Sequence, residues 1–213
     1  VFEGKARLGK NVVVVGGGMA GVGAALAAGK AGAKTIVIEN TSALGGLATM
    51  GVVNIPLDFV SGVGQKFFEE LEAAGGLRRR NSNPEKHKLV FDRMLKEYGC
   101  DCMLVTPLID TVVEGNEVRG IVVHTKKGAQ VILGKRFVDA SGDSDLVYFA
   151  GGETMTGRPE DGMSMGCSLE FVLGGVNYEE YKTSDLYATD PKWIDLIARA
   201  LKETLEYIQC KRH

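Results

Sequence analysis

The stretch Val12–Glu39 reads VVVVGGGMAGVGAALAAGKAGAKTIVIE, and it restricts the folds open to this chain more than any other. A β-branched run leads into a glycine turn, a small-residue helix, a second apolar run and then an acid. Gly16, Gly18 and Gly21 carry the G-x-G-x-x-G spacing, and each has its own task. The first permits a tight turn out of a strand. The second lets a pyrophosphate approach bare backbone, and the third lets the helix pack close on the strand. The anion then sits at the helix N-terminus, at Met19 and Ala20, where unpaired N–H groups and the positive end of the helix dipole face it. Glu39 ends the second strand, with Asn40 beside it, where a carboxylate can accept hydrogen bonds from both hydroxyls of an adenosine ribose. It would repel a 2′-phosphate, so FAD or NAD is favoured over NADP. In a chain with 29 glycines the spacing alone is weak evidence. The preceding strand, the following helix, Gly32 and the strand Thr35–Ile38 supply the context that makes it a dinucleotide site.

The rest of the composition excludes more than it selects. With 45% hydrophobic and 24% charged residues, the chain has an ordinary globular make-up. A formal net charge of −2 argues against a nucleic-acid partner, and the one basic cluster, Arg78–Arg80, reads as a solvated loop. No run approaches the ~18 apolar residues of a membrane span. Cys100, Cys102, Cys167 and Cys210 lack C-x-x-C spacing, which makes a reducing, cytoplasmic compartment the expectation. No metal-ligand cluster appears. The chain opens on Val1 and stops within a helical pattern, so the native polypeptide is expected to continue beyond His213.

After Glu39 comes a second glycine pair, Gly45-Gly46, which suits a loop passing the middle of a long cofactor with its backbone N–H groups presented. Val63, Phe67, Leu71 and Ala74 are spaced for one helix face, and Gly75-Gly76 stops that helix. Asn83-Pro84 reads as an N-cap and first helical residue, followed by the apolar face Val90, Phe91, Met94, Leu95 and Tyr98. His87, near that start, is expected at the surface. Strand periodicity then takes over in Met103–Val113, Glu117–Thr125 and Ala129–Leu133, a three-stranded meander turned at Glu114-Gly115-Asn116 and Lys126-Lys127-Gly128. His124 in its second strand reads as structural. Cys100 and Cys102 form a C-x-C pair on one strand face; buried thiols are the expectation, a redox pair the alternative. Arg136–Ala140 reads as a returning strand that meets Ser141-Gly142-Asp143, a further close-backbone turn, with a helical turn at Leu146–Ala150. The polar, glycine-rich stretch 157–168 has the composition of a functional loop. Ser164, Cys167 and Ser168 lie on it and are read as structural. A strand at Ser168–Leu173 and a helix through Ile194, Ile197, Leu201, Leu205 and Ile208 end the pattern.

Four motifs thus stand in fixed order: VVVVGGGMAGVGAA, the acid and glycine pair E39…GG(45–46)LATMG, VDASGDSDL at 138–146, and GRPEDG…SLEFVLGGVN at 157–177. Together they resemble the FAD-dependent oxidoreductases of the glutathione-reductase-like structural class, from Asn11 to about Asn177. The resemblance implies an α/β fold: a Rossmann-like parallel sheet with an inserted β-meander at about 103–133, within an FAD-binding domain of residues 1–150. Residues 151–213 would begin a substrate or cap domain. It implies FAD held by Gly16, Gly18, Met19, Ala20 and Gly21, with Glu39 and Asn40 at the adenosine ribose. Gly45, Gly46, Leu47 and Thr49 would line the flavin side, and Leu108 at the start of the meander would meet adenine. Ser141, Gly142 and Asp143 match the family's Ala-Thr-Gly-Asp element, with Ser in place of Thr. The family's late second Gly-Asp element does not appear by residue 213. The implied activity is electron or hydride transfer between a small-molecule donor and an acceptor, with no residue marked as catalytic acid or base. A non-catalytic electron-relay or structural subunit of a larger complex is the alternative, and a homo-oligomer or partner subunit is compatible with either. A NAD enzyme is disfavoured by Gly45-Gly46 and by the meander, since a plain NAD fold continues with alternating strands and helices.

Overall fold

The computed structural model describes residues 7–54, 61–78 and 81–167, with 170, 172, 174, 175, 177 and 179 beyond them. The chain divides into two compact units, Val1–Glu170 and Phe171–His213. The helices and strands between Arg7 and Phe149 belong to the first. The helix expected through Ile194–Ile208 lies outside the described residues, as do Arg79, Arg80 and most of the strand expected at Ser168–Leu173.

The first strand, β1 (Arg7–Val15), is followed by α1 (Met19–Lys30) and β2 (Thr35–Ile38). A three-residue 3-10 turn spans Gly46–Ala48. Then come α2 (Gly62–Ala73), the small hairpin β3 (Leu77–Arg78) and β4 (Asn81–Ser82), and α3 (Pro84–Glu97). The remaining elements are β5 (Asp101–Met103), β6 (Leu108–Glu114), β7 (Glu117–Thr125), β8 (Gly128–Asp139) and α4 (Asp145–Phe149). Six strands form one sheet in the order β5-β2-β1-β8-β7-β6. Its β5-β2-β1-β8 half is parallel and its β8-β7-β6 half antiparallel.

Alternation along the central strands separates two cores, because successive strand side chains point to opposite faces. Val14 and Val37 face α1, α2 and α3, packing with Val22, Leu26, Phe67, Leu71, Phe91 and Met94. Val13, Val15, Ile36 and Ile38 face the other way and pack with Ile121, Val123 and Ile132 of the antiparallel wing. The wing therefore curls over the face that the helices leave open. A strand buried on both faces needs a continuous apolar run, which is what the four valines supply.

The meander is part of the main sheet and its strands differ from their expected bounds. The first run breaks at Leu104–Pro107, where Val105 has φ +51° and Pro107 has no N–H to give a ladder, so β5 and β6 are separate strands. The third run and the returning strand, expected apart, are one twelve-residue strand, β8. Gly134 lies where β8 passes from pairing with β7 to pairing with β1, beside an irregular register opposite Arg7–Lys10. A Cβ there would crowd Val13 at 2.8 Å, so this glycine marks a close approach within the strand.

His87 lies in the core, not at the surface where the sequence places it. It is fully buried, with ring centroids 5.0 Å from Phe67 and 5.9 Å from Phe91, which themselves stack at 4.3 Å. Its position follows from spacing: His87, Val90, Phe91 and Met94 share one stripe of α3. The expected cap of that helix is in place, with the Asn83 side chain accepting from the N–H groups of Glu85 (2.9 Å) and Lys86 (3.2 Å). Cys100 precedes β5 and is buried, its thiol donating to the Ala25 carbonyl at 3.2 Å, whereas Cys102 is exposed. His124 is exposed on β7.

Candidate functional site

The site forms where three neighbouring parallel strands end. β1 is followed by Gly16 and β2 by Glu39, and β8 ends at Asp139, so three loops leave the same end of the parallel strands. Gly16 turns out of β1 at φ +96°, and a Cβ there would collide with the Ala140 carbonyl oxygen. A Cβ on Gly21 would collide with the Gly16 carbonyl oxygen. These two glycines serve packing inside the protein. Gly18 is different: nothing lies within 4 Å of where its Cβ would be. It is the N-cap of α1, no side chain caps it, and the first helical bond runs from Val22 N–H to the Gly18 carbonyl at 2.9 Å. The N–H groups of the first helical turn have no i−4 acceptor within the helix and open space lies before Gly18, the setting in which a helix end can receive an anion. Met19 is half-buried and Ala20 exposed on that turn.

Glu39 is buried, 5% exposed, and its carboxylate ties two loops together. One oxygen accepts from Gly17 N–H at 2.6 Å and the other from Thr41 N–H at 2.7 Å. Each oxygen keeps a second lone-pair direction for a further donor. Asn40 next to it is exposed. The second glycine pair lies against the first loop: Gly45 N–H donates to the Gly17 carbonyl at 2.8 Å, and a Cβ on Gly46 would stand 3.1 Å from Gly18 Cα. Gly45 itself has φ +107°, a conformation that favours glycine. Leu47 is 73% exposed beside this pair. Thr49 is buried beneath it, its hydroxyl donating to the Leu44 carbonyl at 2.7 Å, so it closes the loop from inside.

On the other side of β1, Ser141, Gly142 and Asp143 follow β8. Ser141 is half-buried, while Gly142 and Asp143 are exposed. Leu108 begins β6, half-buried, and packs with the core that the wing shares with β1 and β2. It sits beyond a segment tied to the end of β2 by Thr106 N–H donating to the Glu39 carbonyl at 2.9 Å. The structure thus gathers the glycine loop, Glu39, the second glycine pair and the Ser141 turn at one end of the parallel strands.

One residue that shapes this end of the sheet escaped the sequence reading. Asp139 ends β8 and gathers the next turn: Oδ1 accepts from the Ser141 N–H (3.0 Å) and hydroxyl (2.7 Å), and Oδ2 from Val147 N–H (3.0 Å). Burial opposes its charge, but the Ser141 hydroxyl and the N–H groups of Ser141, Val147 and Leu146 outweigh it and hold the carboxyl below its ordinary 3.8. The available signal was an acid at a strand end with Ser two residues later, the pattern of an Asx turn.

These features fit a long dinucleotide. Gly18 leaves room for phosphate at an uncapped helix, a buried carboxylate stands at the adjoining strand end, and a second glycine loop flanks the path onward. Fold and site together define a dinucleotide-binding α/β protein. The chain belongs to the FAD-dependent oxidoreductase family, whose model matches residues 11–209, and its cofactor is FAD. It is similar to a thiamine thiazole synthase of Aeropyrum pernix, 31% identical over 125 residues, a match covering 56% of this chain and 46% of that protein. The chain thus spans less than half the length of that relative. Among solved structures it is similar to THI4 of Thermovibrio ammonificans, with TM-score 0.53 at 22% identity over 70% of this chain and 67% of that one. It is also similar to the glycerol-3-phosphate dehydrogenase of Bacillus halodurans in complex with FAD, with TM-score 0.50 at 17% identity over 68% of this chain and 37% of that one. At these identities the two structures bear on the fold, which they share. Among the described residues no helix is long and apolar enough to cross a membrane, and no cluster of metal-ligating side chains is present.

Proposed function

We propose that this protein is a flavoenzyme that passes electrons or a hydride from a small-molecule donor to an acceptor. The observation that carries the reading is the paired glycine loops. Gly18 opens onto free space at the helix end while Gly45-Gly46 lies alongside, a double rim that a dinucleotide longer than its pyrophosphate would follow. FAD supplies the redox chemistry when bound, and the protein supplies binding and orientation. In this reading the first turn of α1 holds the pyrophosphate, Glu39 and Asn40 take the adenosine ribose, and Leu108 meets adenine. The exposed side chain of Leu47 gives the second rim an apolar surface for the flavin side.

The test is made on the full-length protein. Cofactor released on denaturation is identified, and candidate donors are then screened by bleaching of the flavin absorbance without oxygen. Bleaching by one donor class, reversed by an acceptor, supports the enzyme. If the bound flavin is bleached only when another protein is added, the chain is an electron-relay subunit. A released nicotinamide dinucleotide would overturn the reading.

A further inference from the structure

Three loops meet at the end of the parallel sheet, and two of them have an evident relation to the cofactor through Gly18 and Glu39. The third, Ser141–Ser144, is shaped from inside. We propose that Asp139 is a positioning residue for FAD: its carboxylate sets the turn that meets the part of the cofactor beyond the adenosine.

The strand order gives the direction in which the cofactor runs. β2 and β8 flank β1 on opposite sides, so Glu39 and the Ser141 turn stand two strand spacings apart, roughly 10 Å. A cofactor whose ribose is at Glu39 and whose phosphates are at Gly18 has already crossed β1 on its way towards β8. Val15 pairs with Asp139, and Ala140 N–H donates to the Val15 carbonyl at 2.8 Å, so the turn starts level with the Gly16 loop. Both oxygens of Asp139 are spent inside the turn. Through them it holds Ser141, whose own hydroxyl oxygen accepts from Asp145 N–H at 2.9 Å, and it holds α4 through Val147. Gly142, Asp143 and Ser144 are thereby left facing outward, with Gly142 at φ +94° and Ser144 at φ +62°. A non-glycine residue in the left-handed region is costly, and it persists where its surroundings impose it. Here the surroundings are the hydrogen bonds of the Asp139 carboxylate, with Asp145 N–H on the Ser141 hydroxyl and Tyr148 N–H on the Ser144 carbonyl. The depressed pKa of Asp139 agrees with an anion committed to N–H and O–H donors. The Ser141 hydroxyl, donating to Asp139 and accepting from Asp145, then belongs to this frame.

The inference rests on FAD being the cofactor, and binding measurements separate its failure from failure of that reading. Full-length apoprotein is titrated with FAD and, in parallel, with ADP, which carries the adenosine and phosphates alone. Asp139→Asn replaces one acceptor oxygen by a donor facing N–H groups. It is expected to weaken FAD about tenfold, the scale of one hydrogen bond to a charged group, and to leave ADP affinity unchanged. Ser141→Ala should act in the same direction and Ser141→Thr, which keeps the hydroxyl, should restore FAD affinity. The visible circular dichroism of bound flavin should change in Asp139→Asn and Ser141→Ala but not in Ser141→Thr. Equal losses for FAD and ADP would reduce Asp139 to a fold-stabilising residue and overturn the proposal, as would unchanged FAD binding. If Asp139→Asn does not fold, the two Ser141 variants decide by the same split. An apoprotein that binds neither ligand before any substitution would overturn the cofactor reading itself.

Discussion

Gly18 and Gly21 look alike in the sequence and do opposite things. At Gly18 the backbone has φ −67°, which any residue adopts, and the space for a side chain is open. At Gly21 a side chain would enter the Gly16 carbonyl. Gly18→Ala is therefore expected to leave apoprotein stability within about 0.5 kcal/mol, as at unconstrained surface sites, while abolishing flavin retention. Gly21→Ala is expected to destabilise by roughly 1–3 kcal/mol or more through overpacking. Urea denaturation of the apoproteins, read beside flavin absorbance, checks both. A Gly18→Ala protein that purifies yellow, or a Gly21→Ala protein as stable as the parent, would contradict the division. The motif's spacing was legible in the sequence because Gly16 turns at positive φ and Gly21 packs on Gly16 within a few residues, while Gly18 leaves open the approach to the helix end between them. Asp139 was not, because its partners Ser141 and Val147 acquire meaning only once the turn and α4 are seen to close on it.

At the scale of elements, periodicity identified α2 and α3 and the Asn83 cap, since stripe spacing and capping chemistry are local. It placed His87 wrongly by weighing the residue type above the stripe it completes. Both ring nitrogens lack a hydrogen-bond partner among the described residues, and burial holds the ring below its ordinary 6.5. A histidine kept neutral in the folded state and free to charge in the unfolded one makes stability rise with pH across the gap between the two values. Its contribution is complete above about 6.5 and is lost as pH falls below it towards the folded value. Urea midpoints measured through this range should fall with acidification in the parent, and less steeply in His87→Leu. Parallel curves would show that His87 does not set the slope. The bounds of β5, β6 and β8 escaped the sequence for another reason. Whether Pro107 ends a strand and Gly134 does not depends on which neighbour each faces, and pairing partners are not written in the local pattern.

At the scale of the whole molecule, the continuous valine run of β1 is covered on its two faces by parts of the chain that arrive at different times. One face is covered by helices that follow closely in the sequence and the other by the antiparallel wing; along its two edges β1 pairs first with β2, Val14 with Val37 through α1, and much later in the chain with β8, Val14 with Val138. Loop-closure entropy grows with the chain enclosed, and non-local pairing is correspondingly slow. In refolding followed by pulsed hydrogen exchange, amides of α1 and of the β1–β2 ladder should gain protection before those joining β1 to β8. Simultaneous protection of both ladders would contradict this order. The central position of β1 also has a consequence for synthesis on the ribosome. Residues of the glycine loop emerge well before β8, so the strand beside them has one bare edge until β8 arrives, and a bare apolar edge is a template for another chain. The interval between the emergence of Val15 and that of Asp139 is when nascent copies are most exposed to pairing with one another.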